Sequence, residues 1–152
     1  MTNGRWAVYL SGEIHSDWRE QIAAGVAREG LPVDLLSPVT DHGASDECGV
    51  AILGSEDKPF WTDHKGAKVN AIRTRTLIDR ADIVVVRFGD KYRQWNAAFD
   101  AGYASAKGKA LVTLHNPSLT HALKEVDGAA LATAETADQV VRLLAYAIEG
   151  RL

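Results

Sequence analysis

The sequence has one cysteine, Cys48, so it can form neither an internal disulfide nor a cysteine-based zinc site. No apolar run approaches the roughly 20 residues that span a bilayer. The opening segment, MTNGRWAVYLSGE, has no apolar core followed by a small-residue cleavage site. A cytoplasmic location and no membrane partner are therefore expected. An excess of charge is also missing: 17 Lys plus Arg against 20 Asp plus Glu leave a net charge of -3. That is too little positive charge for a nucleic-acid footprint, so no nucleic-acid partner is expected. The common phosphate and catalytic signatures are absent too. There is no GxGxxG, no GxxxxGK[ST], no HExxH and no GxSxG, which argues against dinucleotide, P-loop, zincin and serine-hydrolase sites. Neither a cofactor nor a metal is expected.

What is present describes an ordinary globular chain. Its 152 residues suit one domain spanning 1–152, and a 46% hydrophobic content excludes intrinsic disorder. Strand-like and helix-like segments alternate, which predicts an α/β fold with a mostly parallel sheet. Strands are expected at 6–11, 32–36, 82–88, 110–114 and 129–133. The run DIVVVRF at 82–88 suits a central strand buried on both faces. Helices are expected from a cap at Ser16 or Asp17 to about Glu29, from about Ala67 to Arg80, from about Gln94 to Lys107 and after Thr136. Asp17 and Glu20 have capping-box spacing, as do Thr136 and Gln139. Residues 38–65, rich in Gly, Pro and polar side chains, read as a long loop with one helical turn near Cys48. Five strands in this rhythm predict a doubly wound sheet of flavodoxin-like order 2-1-3-4-5. Ligands of such sheets bind beyond the strand ends where the order reverses, here between strands one and three.

Two segments converge on that crevice, SGEIHSDWR and FGDKYRQWNAAFDAGY. In the second, Asn96, Asp100 and Tyr103 share a helix face, and Trp95 stands beside them. An acid in an Ala-rich helix is either a solvated or capping residue or a carboxylate aimed at an electrophilic carbon. In the first, Gly12, Glu13, His15 and Ser16 form a strand-to-helix turn whose N–H groups could hold a phosphate or a sugar hydroxyl, with Arg19 as a nearby cation. The tripeptides Thr40-Asp41-His42 and Thr62-Asp63-His64, with Asp46, raise a metal site as an alternative to plain loop polarity.

The patterns VYLSGEIHSDWR and ADIVVVRFGDKYRQWNAAFDAGYASAKGKAL resemble the YtoQ family over nearly the whole chain. That family is itself similar to the nucleoside 2-deoxyribosyltransferases. The resemblance implies a five-stranded parallel fold, a nucleoside or nucleotide pocket, and homo-oligomers that complete their sites across subunits, with Trp61 and Trp95 as candidate contacts. It assigns Asp100, in Asp-Ala-Gly-Tyr, to the position of the transferases' nucleophilic Glu. Tyr9 matches the tyrosine that orients the nucleophile, and Asp90 the carboxylate that contacts the base. The chain departs from the pattern twice. Asp is one methylene, about 1.5 Å, shorter than Glu, and a misplacement of about 1 Å can cost a hundredfold in rate. Thr74 replaces a sugar-binding Asp, within the segment that carries Asn70 and Arg73.

The implied function is cleavage or transfer of a nucleoside or nucleotide N-glycosidic bond, with Asp100, Tyr9 and Asp90 as catalytic residues. Gly12, Glu13, His15, Ser16, Arg19, Asn70, Arg73, Trp95, Asn96 and Tyr103 are the expected substrate contacts. Two alternatives stay open: a nucleoside- or nucleotide-binding domain without chemistry, and a metal-dependent hydrolase built on Asp41, His42, Asp46 and His64.

Overall fold

The computed structural model describes residues 3–152. Five parallel strands form one sheet: β1 (Trp6–Gly12), β2 (Val33–Leu36), β3 (Ile83–Arg87), β4 (Ala110–Leu114) and β5 (Ala132–Ala134). Their order is β2-β1-β3-β4-β5, as the alternating pattern predicts. Helices α1 (Trp18–Glu29) and α6 (Ala137–Glu149) cover one face, and α3 (Pro59–Arg80) and α4 (Trp95–Ala106) the other. Two further helices, α2 (His42–Leu53) and α5 (Lys124–Ala129), complete the set, together with a short 3-10 turn at Pro117–Leu119. No helix among the described residues is long and apolar enough to cross a membrane.

The period-2 geometry of β1 divides its side chains between the two layers. Val8 and Leu10 join Trp18, Ile22 and Val26 of α1 and Val140, Val141 and Leu144 of α6. Tyr9 faces the opposite layer with Leu77 and Ile78 of α3 and Ala97, Ala101 and Ala104 of α4. Ser11, two residues on, follows Tyr9 to that side, where it bonds to α4. The small Ala side chains let α4 lie close to the sheet. Strand β3 is buried on both faces, which explains its unbroken β-branched run.

Several local expectations need correction. Asp17 occupies the cap position of α1 but makes no capping bond; its carboxylate accepts from the Gln21 side chain at 2.8 Å. At the second, Thr136 Oγ1 caps α6 by accepting from the Gln139 amide, but the Gln139 side chain accepts from the Glu135 amide, one residue before the cap, so only half of the capping box forms. On α6, Val140, Val141, Leu144 and Ala145 are buried, whereas Ala147 is exposed. On α3, Ile72 is exposed, and Leu77 and Ile78 make the core contact. Trp18 is in the core and Trp6 packs against it, whereas Trp61 and Trp95 stand on the surface.

The largest correction concerns residues 38–65, which are mostly helix rather than loop. Asp41 caps α2 by accepting from the Ala44 amide at 2.7 Å. The glycines that suggest a loop instead bring two helices together. A Cβ on Gly49 would lie 2.6 Å from the Gly66 nitrogen, and one on Gly66 would lie 2.8 Å from the Asp46 carbonyl. The backbones of α2 and α3 approach so closely that only glycine fits. Asn70 adds a pin, donating to the Ser45 carbonyl at 2.9 Å and its hydroxyl at 3.2 Å. This helix pair carries Ser45, Asn70 and Arg73 to the carboxyl end of the sheet.

Candidate active site

A cavity of about 400 Å³ lies beyond the end of β1, on the α3–α4 side. It is within the usual range for small-molecule sites, roughly 300–1,000 Å³. Gly12 and Ile14 of the turn after β1 form one wall, Asn70, Arg73 and Thr74 of α3 a second, and Asn96, Phe99, Asp100 and Tyr103 of α4 a third. Pro38, Val39 and Ser45 close the remaining side. The acid of α4 therefore does share a cavity with the turn that leaves the first strand.

Asp100 is neither solvated nor a cap. It is 9% exposed, and its Oδ2 accepts from the Ser11 hydroxyl at 2.5 Å. Burial disfavours the charged form and pushes its pKa from 3.8 up to about 6, while the Ser11 hydrogen bond pulls the other way. Tyr9 lies beneath the cavity, fully buried. Its hydroxyl makes no well-formed hydrogen bond among the described residues, although the Thr74 side chain is close enough to interact. Burial raises this phenol to about 12; Thr74 lowers it and the charge of Asp100 raises it further. The phenol keeps its proton at neutral pH.

The other cavity groups have settled places. Arg73 donates to the Ser37 carbonyl at 3.0 Å. The Tyr103 hydroxyl donates to Asp79 at 3.2 Å, and its ring, like that of Phe99, lies 5.9 Å from the Arg75 guanidinium. Gly12 has a φ of 103°, and a Cβ there would come within 2.1 Å of the Arg87 carbonyl. Only glycine lets β1 turn out of the sheet at this point.

The turn after β1 is not the anion cradle that its sequence suggests. The Glu13 carboxylate accepts from the His15 amide and the Ser16 hydroxyl, so the turn's donors already hold an internal anion. Arg19 is equally engaged. Its guanidinium donates to the carbonyls of Leu10 at 3.1 Å, Glu13 at 2.6 Å and Gly12 at 3.3 Å, and burial lowers its pKa to about 10, leaving it charged. Trp18 donates to the Glu13 carbonyl as well. Glu13, Ser16 and Arg19 therefore build the turn instead of offering free groups to a ligand.

Asp90 is exposed and lines recesses that do not include Asp100, so it is not placed to contact a base held at that carboxylate. Trp95, 72% exposed, faces a groove toward Leu119 and Leu123 and does not line the cavity. His15 lines a neighbouring recess with His42 and Tyr92. Among the described residues, no three or more His, Cys, Asp or Glu side chains converge as a metal-ligand group. His42 pairs with Asp46 at 3.0 Å, while His64 stacks on Phe60. Ser11 opens the segment SGEIHSDWR but is not among the expected site residues. Its signal is the one polar side chain at the end of an otherwise apolar strand.

A parallel doubly wound sheet with a buried carboxylate at its order reversal defines the class: an α/β protein with the nucleoside deoxyribosyltransferase-like fold. The chain belongs to the family described as nucleoside 2-deoxyribosyltransferase YtoQ, whose model matches residues 9–148. It is 43% identical over 142 residues to the uncharacterized protein YtoQ of Bacillus subtilis (strain 168), covering 93% of this chain and 96% of that one. Among solved structures, a conserved protein from Enterococcus faecalis V583 matches with a TM-score of 0.64 at 14% identity, over 92% of this chain and 97% of that one. A 2-deoxyribosyltransferase from Bacillus psychrosaccharolyticus matches with a TM-score of 0.54 at 16% identity, over 89% and 90% of the two chains. At these identities the two structures speak to fold alone.

Proposed function

We propose that this protein binds a nucleoside or nucleotide and cleaves or transfers its N-glycosidic bond, with Asp100 as the nucleophile. The observation that carries the reading is the buried Asp100 carboxylate, lining a nucleoside-sized cavity and fixed by Ser11. Its pKa of about 6 lies below neutral pH, so the charged form predominates at pH 7. A carboxylate stripped of water is ready to attack the anomeric carbon as the bond to the base loosens toward an oxocarbenium-like state. The Ser11 hydroxyl, not Tyr9, orients the carboxylate, since the Tyr9 hydroxyl makes no hydrogen bond to it among the described residues. Asn70, Asn96 and Arg73 line the cavity as polar contacts for the sugar. The Phe99 ring gives a flat base a wall to lie against. Water or a second base then releases the sugar from Asp100, the two-step logic of retaining glycosidases.

The test is incubation with a panel of nucleosides and nucleoside monophosphates, followed by chromatography for free or exchanged base. Release is expected from the native protein and none from Asp100→Asn; release that survives in the variant removes Asp100 as nucleophile. The second reading is binding without chemistry, favoured by the shorter acid and by Thr74 in place of a sugar-binding Asp. It predicts ligand-dependent quenching of tryptophan fluorescence with no base released from any substrate.

A further inference from the structure

We propose that His42, oriented by Asp46, donates the proton that the departing base requires; the inference rests on the glycosidic reading above. The Asp100 cavity continues into a recess of about 530 Å³, and Gly12, Ile14, Ser45 and Asn96 line both. Within the first cavity no side chain other than Asp100, which is taken up as the nucleophile, is suited to give up a proton near neutrality. Guanidinium groups keep theirs, Asn amides do not ionise, and the Tyr103 hydroxyl is committed to Asp79. Asp90 lines neither space. The recess holds two histidines, whose ring nitrogens can act as hydrogen-bond donors or acceptors.

Of the two, His42 has the geometry of a general acid. It opens α2, and Asp46 follows one helical turn later on the same face, with its Oδ2 3.0 Å from His42 Nδ1. Both side chains of the pair are exposed, and the contact leaves Nε2 as the nitrogen not engaged by the carboxylate. His15 stacks on the ring with centroids 6.0 Å apart and rests in turn on Tyr92 at 5.0 Å. His15 has no carboxylate on its own ring among the described residues. Ser45, three residues beyond His42 on the same helix, is part of the wall shared with the Asp100 cavity. The close α2–α3 packing fixes the start of α2 beside that wall.

In the step proposed, the bond from the anomeric carbon to the base breaks and its electron pair stays on the base. A bond forms from Asp100 to that carbon, and the proton on His42 Nε2 moves to a ring nitrogen of the base. The incoming water or second base returns a proton to His42 as it displaces Asp100.

The experiment compares base release from a purine deoxynucleoside and from its N7-methylated form, whose base leaves without needing a proton. His42→Gln should slow the first reaction about 100-fold or more, the range for a general acid, and the second less than about threefold. Asp46→Asn should show the same pattern more weakly. Equal losses on both substrates, or none on either, overturn the proton-donor role and leave the nucleophile reading intact. A native protein that releases base from neither substrate overturns the glycosidic reading, and this inference with it.

Discussion

Replacing Asp100 with Asn should abolish base release and at the same time make the protein more stable at neutral pH. The carboxyl has a pKa of about 6 in the fold, against 3.8 for an ordinary aspartate. A carboxyl with a raised folded pKa binds its proton more tightly when folded. It therefore costs nothing below about pH 4, and the penalty grows between pH 4 and 6 and is complete above pH 6. A shift of about 2 units corresponds to about 3 kcal/mol. The amide that Asp100→Asn introduces is neutral at every pH and can still accept from the Ser11 hydroxyl. Urea unfolding at pH 7.5 should show Asp100→Asn more stable by about 1–3 kcal/mol, worth several degrees in Tm for a chain of this length. The difference should shrink toward zero near pH 4. A variant less stable at pH 7.5, or equally shifted at both pH values, would refute the argument that burial of this charge is being endured for the sake of the site.

Ser11→Ala removes a hydrogen bond that favours the charged carboxylate. At about 1.5–3 kcal/mol for a bond to a charged group, the acidic limb of the pH–rate profile should move upward by about 1–2 units from its starting point near pH 6. An unmoved limb would show that another group controls it. Gly49→Ala places a methyl 2.6 Å from the α3 backbone and should cost about 1–3 kcal/mol in urea unfolding. Gly43→Ala meets nothing nearer than 3.7 Å and should cost far less.

The legible parts of the molecule are those in which one residue type has one physical use. The run IVVVR can only be a buried strand, and Trp18, Ile22 and Val26 can only be one helix face. From such segments the sheet order follows. Glycine has two uses, and that is why residues 38–65 mislead: Gly49 and Gly66 look like chain breakers in the sequence and serve close helix packing in the fold. Asp100, Asn96 and Tyr103 are legible because helical spacing places them on one face, and the fold brings that face to the crevice. Glu13, Ser16 and Arg19 mislead for a different reason. Sequence gives the direction of a turn but not which of its own groups will satisfy its donors and acceptors, and here Glu13 and Arg19 satisfy them internally. Asp90 shows how far a resemblance carries where the loop differs: it matches a position, and the fold puts it in another recess.

The central claim, that Asp100 attacks the sugar, can be read directly by mass spectrometry. The protein is mixed with a deoxynucleoside, quenched rapidly in acid and digested. The account predicts one added deoxyribosyl mass on the peptide that carries Asp100, absent in Asp100→Asn. Base released at a steady rate with no adduct on that peptide, or an adduct on another residue, would contradict it.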